Sequence, residues 1–215
     1  MTGVFAERVR GEGKSVRTRA RLMDAAAEKF AEHGIEAASI NAIAHAADVS
    51  NGTFYNHFRD KDELVGAVAF GIARDFAERI DAAMADIDDA VQRVSFGTRQ
   101  FIELASSEPS WGQSLMRAVW SLPALRREVA SFARADLDRG VRDGVFRVEV
   151  DDLLVDLMMS TGLMGVYLRT SEGAGPKVGA EIAEHQLRLL GVPPARAHRA
   201  SHRPIELLAV RPPQA

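Results

Sequence analysis

Apolar residues recur every three to four positions along most of this chain, and that spacing constrains its fold more than any other feature. The period gathers them on one side of an α-helix, whereas a half-buried strand alternates at every second residue. No convincing alternation occurs before residue 193. Glycine and proline fall mostly between the periodic runs, where helices end. The chain is therefore expected to be all-α, with about nine helices. Its 215 residues suffice for one large domain, or for a small domain and a larger one.

Residues 1–14 are basic and show no period, so they are expected to form a flexible arm. Ser15 caps a helix running to about His33, in which Leu22, Ala26 and Phe30 make the buried stripe. Gly34 stands where a helix end needs left-handed backbone. Ser39 caps a short amphipathic helix carrying Ile40, Ile43, Ala44 and Ala47. Asp48 and Val49 form a tight turn, and Ser50 caps a further short helix over about 51–58. Asp60 and Glu63 are a capping pair for a long helix whose apolar face is Val65, Val68, Ile72, Phe76, Ile80 and Met84. More helices are expected near 88–106, 109–121, 123–143, 151–170 and 176–190. Residues 193–215 hold five of the eight prolines and read as an irregular tail, in which 205–210 is either a strand or an apolar patch on the body. The expected organisation is an arm over 1–14, a small domain over 15–62, a larger one over 63–192 and a Pro-rich tail over 193–215.

Several function classes fall away. There is no cysteine, which excludes disulfides, thiolate metal sites and cysteine nucleophiles. No stretch reaches the roughly 18 apolar residues of a membrane span, and the N-terminus lacks the apolar centre of a signal peptide. A cytoplasmic protein is expected. A phosphate-binding glycine loop, an HExxH pair and a nucleophile elbow are all missing, so neither catalysis nor a cofactor is expected. A net charge of −3 argues weakly against a nucleic-acid partner. The local charge argues the other way: Arg8, Arg10, Lys14, Arg17, Arg19 and Arg21 face a single acid, Glu12.

Residues 39–61 carry the function. Two short helices joined by a turn of a few residues suit a helix-turn-helix, whose second helix enters the major groove. At 100° per residue Phe54 and Phe58 share the inward face with Val49. The outward face then holds Gly52 and Asn56, flanked by Thr53 and Tyr55. Gly52 lets backbone approach DNA, while Asn56 and Thr53 can bond base edges. Tyr55, His57 and Lys61 can reach phosphates. Ser39 and Ser50, with Asn51 beside them, leave helix N-termini that favour phosphate oxygens. Arg17 and Arg19 are the arm's candidates for phosphate or minor-groove contact.

The run Ile43-Ala44, Ala47-Asp48-Val49-Ser50-Asn51-Gly52-Thr53-Phe54-Tyr55-Asn56-His57-Phe58, Lys61 and Leu64 resembles the DNA-binding signature of the TetR family of bacterial transcriptional regulators. Leu22, Ala26, Phe30, Gly34 and Ile35 fit it too, so the match spans about residues 17–68. Asp48 departs from the family's usual glycine, and asparagine and aspartate tolerate left-handed backbone better than most residues. The resemblance implies a dimeric all-α repressor: three N-terminal helices for DNA, and about six more for a small-molecule effector and for dimerisation.

Within the larger domain, Phe101, Trp111, Met116, Trp120, Phe132, Met158, Met159 and Tyr167 are candidates to line an effector cavity. Few charges are spaced toward its centre, so an apolar or aromatic effector is expected. Leu153, Leu157, Met164 and Leu168, with Gly162 and Gly165 for close approach, form a stripe that can pair with Val178, Ile182 and Leu189 across a homodimer four-helix bundle. His198 and His202 are four apart but lie in the Pro-rich tail, so no metal site is expected. A protein-interaction module on the same fold, without specific DNA binding, is the alternative.

Overall fold

Side chains cap the helices at Ser39, Ser50, Asp89 and Asp151, but Ser15 does not cap the first long helix as expected: that helix already begins at Lys14, after Gly13, with no side-chain cap. The computed structural model describes residues 3–107, 115–116, 119–120 and 122–208, and these contain ten labelled helices and no strand. They fall into two compact units, residues 3–72 and 73–208.

The first unit comprises α1 (Val4–Arg8), α2 (Lys14–His33), α3 (Ile40–Ala46), α4 (Asn51–Tyr55) and the start of α5 (Lys61–Ala83). Its core is made of Leu22, Ala26, Phe30, Ile43, Ala44, Phe54, Phe58, Leu64 and Val68, all buried. Ser39 Oγ accepts the Ala42 N–H and Ser50 Oγ the Thr53 N–H, both at 3.1 Å. These caps satisfy amides that the first helical turn leaves without partners. Between α3 and α4, Asp48 takes a left-handed φ of 54°, the conformation demanded by the tight turn. Asp60 Oδ1 accepts the Glu63 N–H at 2.8 Å, and Glu63 Oε2 reaches back to the Arg59 N–H at 2.9 Å, which starts α5. The division between units lies inside α5, ten residues beyond the expected boundary at 62. Leu64 and Val68 bury themselves in the first unit, and Gly71 lies so close to the Phe5 ring that a Cβ there would meet it at 2.2 Å.

The N-terminal segment is not a free arm. Asp24 accepts the Phe5 and Ala6 N–H groups at 3.0 and 2.9 Å, and the Phe5 ring is buried. Burial pushes the Asp24 carboxyl above its ordinary range, against the pull of those two amides. A carboxylate capping the first turn of a helix and one phenyl ring suffice to dock five residues.

The second unit comprises the rest of α5, then α6 (Ala90–Ser106), helical residues 115–116 and 119–120, α7 (Pro123–Arg142), α8 (Asp152–Ser171), α9 (Val178–Leu189) and α10 (Pro194–His202). α9 packs on α6, α8 and α10 around Val91, Leu137, Phe146, Val155, Leu187 and Leu190. Gly162 and Gly165 serve this interior and not an outer interface. Both are buried, and a Cβ on Gly165 would come within 2.7 Å of Ile102 on α6 and Ile182 on α9. The Pro-rich tail is helical through His202. Proline fits the first turn of a helix, where no internal N–H bond is lost, and Pro194 occupies that place. Ala197 and Ser201 bury one face of α10, and Arg196 bonds both carboxylate oxygens of Asp89 at 3.2 Å. After it the chain lies along α6 as a patch: Gln100 Nε2 donates to the Glu206 carbonyl, and the Leu208 N–H to Gln100 Oε1.

Candidate nucleic-acid interface and ligand cavity

α4 separates its faces as the 100° rotation requires. Phe54 and Phe58 are buried, with ring centroids 5.8 Å apart, whereas Asn51, Gly52, Tyr55 and Asn56 are exposed and Thr53 and His57 half-buried. Tyr55 is 58% exposed and meets the Phe54 ring edge-on at 5.3 Å, so its base is braced while its hydroxyl end is left in solvent. A Cβ built on Gly52 would meet only Ser50 Oγ, at 3.7 Å, so that side of the helix is open to close approach. Thr53 Oγ1 lies 3.0 Å from Ser50 Oγ, and Asn51 donates to the Asn41 side chain on α3, which ties the two short helices at their outer edge. The result is a solvent-facing, uncharged hydrogen-bonding surface on a rigidly backed helix.

The basic candidates divide. Arg17 is exposed, with one donor on the Glu12 carbonyl at 3.2 Å. Arg19 turns inward: its guanidinium sits 4.5 Å above the Phe58 ring and touches Met23 Sδ. That stacking draws its charge toward the core instead of toward phosphates. Lys61 donates to the carbonyls of Ile35, Glu36 and Ala38 at 3.0, 3.1 and 3.3 Å, so its ammonium closes the loop between α2 and α3. An ammonium has three N–H donors, and Lys61 has three carbonyl partners. Both residues brace the helix-turn-helix from behind.

In the second unit, side chains from α5 to α9 line a cavity of about 160 Å³. Four of the expected residues, Phe101, Phe132, Met158 and Met159, line it. Met116 does not, Trp120 is 60% exposed, and Tyr167 faces outward with its hydroxyl on Glu172 Oε1 at 2.8 Å. Trp111 lies outside the described residues. Leu115 and Val119 take the wall that Met116 and Trp120 were expected to form. The two pairs have the same four-residue spacing and differ by one position, a rotation of 100° around the helix.

The cavity also holds polar groups that a reading for apolar residues passes over. Arg93, 6% exposed, donates from Nε to Asp136 Oδ1 at 2.5 Å, from Nη2 to Asp81 Oδ1 at 3.0 Å and from Nη1 to the Met84 carbonyl at 2.7 Å. Burial works against its charge, but the bonds and charges of Asp136 and Asp81 prevail and hold its pKa above the ordinary arginine value. At another point Gln186, also buried, donates to the Met158 carbonyl and Thr161 and accepts from Thr98 at 2.5 Å. Arg93, Asp81, Asp136, Thr98 and Gln186 all line the cavity. A signal for them exists in the sequence. Arg93 falls between Ala90 and Gly97 on the apolar face of α6, and Asp136 stands four residues after Phe132 on that of α7. Ionised residues at core positions of amphipathic helices are rarely buried unless paired.

The family description "Bacterial regulatory proteins, tetR family" matches residues 22–68, and "Tetracyclin repressor-like, C-terminal domain" matches residues 89–203. The HTH-type transcriptional repressor KstR2 of Mycobacterium tuberculosis strain H37Rv is 26% identical over 198 residues, which cover 86% of this chain and 95% of that one. KstR2 of Rhodococcus jostii is 29% identical over 148 residues, 65% of this chain and 72% of its own. Among solved structures, RolR in complex with resorcinol superposes with a TM-score of 0.80 at 28% identity, covering 91% of this chain and 98% of the other.

Proposed function

The chain belongs to the tetR family of bacterial regulatory proteins, and from that premise we propose that it holds a near-palindromic operator as a homodimer and releases it when a small aromatic effector fills the cavity. It is a ligand-responsive, DNA-binding transcriptional repressor. Residues 3–72 are the DNA-reading unit, and residues 73–208 take the effector and the second subunit. It works in the cytoplasm, where the operator is.

The observation that carries this reading is the division of α4. A helix whose back is two buried phenyl rings and whose front is glycine, tyrosine and asparagine is built to be pressed into a groove. Asn56 and Thr53 read base edges, while Tyr55, His57 and Arg17 position the helix on phosphates. Two copies of α4 reach successive major-groove faces about 34–36 Å apart, one helical turn of DNA.

The second subunit docks on α8 and α9. Leu153 and Met164, 67% and 52% exposed, share one face of α8 with Leu157, and Leu189 on α9 is 49% exposed. Two such helix pairs close a four-helix bundle with isologous symmetry.

The size of the cavity selects the effector. A dry cavity of about 150 Å³ admits one benzene ring, so about 160 Å³ suits a single substituted ring. Its polar groups suit ring hydroxyls: Asp136 accepts, and Thr98 with Gln186 offers a second polar point. Resorcinol, the ligand of RolR, has this form. α5 links the two sites chemically, because Leu64 and Val68 sit in one core and Ala77, Ile80 and Met84 in the cavity wall. An effector acts only through its different affinity for the DNA-bound and free states.

Selection of bound duplexes from a random pool tests the DNA reading. An inverted repeat whose retention falls steeply with salt is expected, through counterion release. Failure to retain any duplex at low salt would leave only the protein-interaction alternative. Resorcinol should dissociate the selected complex; dissociation by stearoyl-CoA and not by dihydroxybenzenes would overturn the effector class.

A further inference from the structure

His198 and His202, expected in an irregular tail that binds no metal, do not lie in one. α10 is a regular helix through His202, and residues four apart on a helix share a face. Their rings stack with centroids 4.3 Å apart. Both turn toward Glu184 on the neighbouring α9: His198 Nδ1 and His202 Nε2 each lie 3.0 Å from Glu184 Oε2. One candidate ligand atom from each of the three residues lies within 4.8 Å of the others.

We propose that Glu184, His198 and His202 bind a divalent transition-metal ion of the zinc class, which clamps α10 to α9. Two imidazole nitrogens and a carboxylate oxygen are a donor set that zinc takes readily. The distances suit it. Bonds of about 2.0–2.1 Å to one ion place neighbouring ligand atoms about 2.9–3.4 Å apart, depending on coordination geometry. Both carboxylate–imidazole separations already fall there. The two histidine nitrogens need only a side-chain adjustment to follow, because the carboxylate now between them would move to one side of the ion. Both histidines are exposed, so the ion has an entry path and water can complete its shell.

The arrangement also accounts for what the three residues do without an ion. The two stacked imidazoles share one carboxylate oxygen. A divalent cation replaces those two contacts with three coordinate bonds. The clamp acts on two elements already joined by the buried face of α10, and Glu184 is two residues from Gln186 in the cavity wall.

The test uses the full-length protein without an affinity tag, stripped with chelator and titrated with zinc chloride by calorimetry. One ion per chain is expected, with a rise in thermal midpoint on zinc addition. Glu184→Gln, His198→Asn and His202→Gln should each weaken binding at least about tenfold, a loss that even removal of a supporting partner causes at a metal site, and should abolish the thermal shift. His198 lies on the surface, so the His198→Asn variant folds regardless of the others. Cobalt(II) in place of zinc should develop visible ligand-field absorption with the unmodified protein and not with His198→Asn. Absence of stoichiometric binding by the unmodified chain overturns the proposal, as does unchanged affinity in the three variants.

Discussion

The pair Arg93–Asp136 offers the sharpest test of how the cavity is held together. The two side chains are 7% and 14% exposed, and Arg93 reaches three further oxygens, on Met84, Ile87 and Asp81. Asp136→Ala removes the more deeply buried of its two carboxylate partners. Stranding one member of a buried ion pair costs about 3–5 kcal/mol. The low end applies here, because Asp81 and two carbonyls remain. At about 2–4 °C per kcal/mol for a chain of this size, a loss near 3 kcal/mol lowers the thermal midpoint by about 6–12 °C. Arg93→Met should do at least as much, since it leaves Asp136 without its guanidinium. The double variant Arg93→Met/Asp136→Leu replaces the pair with apolar groups of similar volume, and such exchanges are often neutral or stabilising. Its midpoint should therefore lie above that of either single variant. Thermal unfolding followed by circular dichroism on all four proteins closes the cycle. Additive losses, or single variants within about 2 °C of the parent by that same conversion, would refute the view that the two charges are mutually dependent. The double variant, stable but apolar, should also lose affinity for dihydroxybenzenes while still binding the operator.

Three further outcomes follow from the same geometry. Asn56→Ala should weaken operator binding by about 1–3 kcal/mol and relax base preference at one position of each half-site, and Tyr55→Ala should weaken it without changing the preferred sequence; gel shifts on the selected duplex and its point variants distinguish the two, and unchanged affinity in both would rule out α4 as the reading helix. Leu157→Asp puts a charge in the exposed stripe of α8 and should convert the dimer to monomer at micromolar concentration, as read by light scattering; a dimer that persists places the interface elsewhere. Gly140→Ala should lower stability despite the better helix propensity of alanine, since the new Cβ would stand 2.1 Å from the Phe146 ring, which is packed in the core and cannot retreat; overpacking of that kind costs about 1–3 kcal/mol, against about 1 kcal/mol gained from propensity. A raised thermal midpoint would show that the ring has room to yield.

Local rules made much of this protein legible before any coordinates. Ser39, Ser50 and the Asp60–Glu63 pair bond amides within four residues, so their caps follow from the string alone. The burial of Phe54 and Phe58 and the exposure of Asn56 follow from one rotation per residue. The left-handed backbone at Asp48 follows from the resemblance to the TetR signature, which usually has glycine there. Each depends on neighbours in sequence, and sequence lists neighbours.

What only the tertiary structure decided depends on partners far along the chain. Asp24 docks α1 across 18 residues, Gln100 holds the chain at Glu206 across 106, and Glu184 meets His198 and His202 from another helix. Gly165 faces Ile102 and not a second subunit, and Leu115 rather than Trp120 faces the cavity, because helix rotation is set by what packs against it. Lys61 and Arg19 are basic in any reading, yet their charge turns to carbonyls and to a phenyl ring that folding alone brings near. Periodicity reports which side of a helix is apolar. Which other surface that side meets is a matter of packing among elements, and no local pattern carries it.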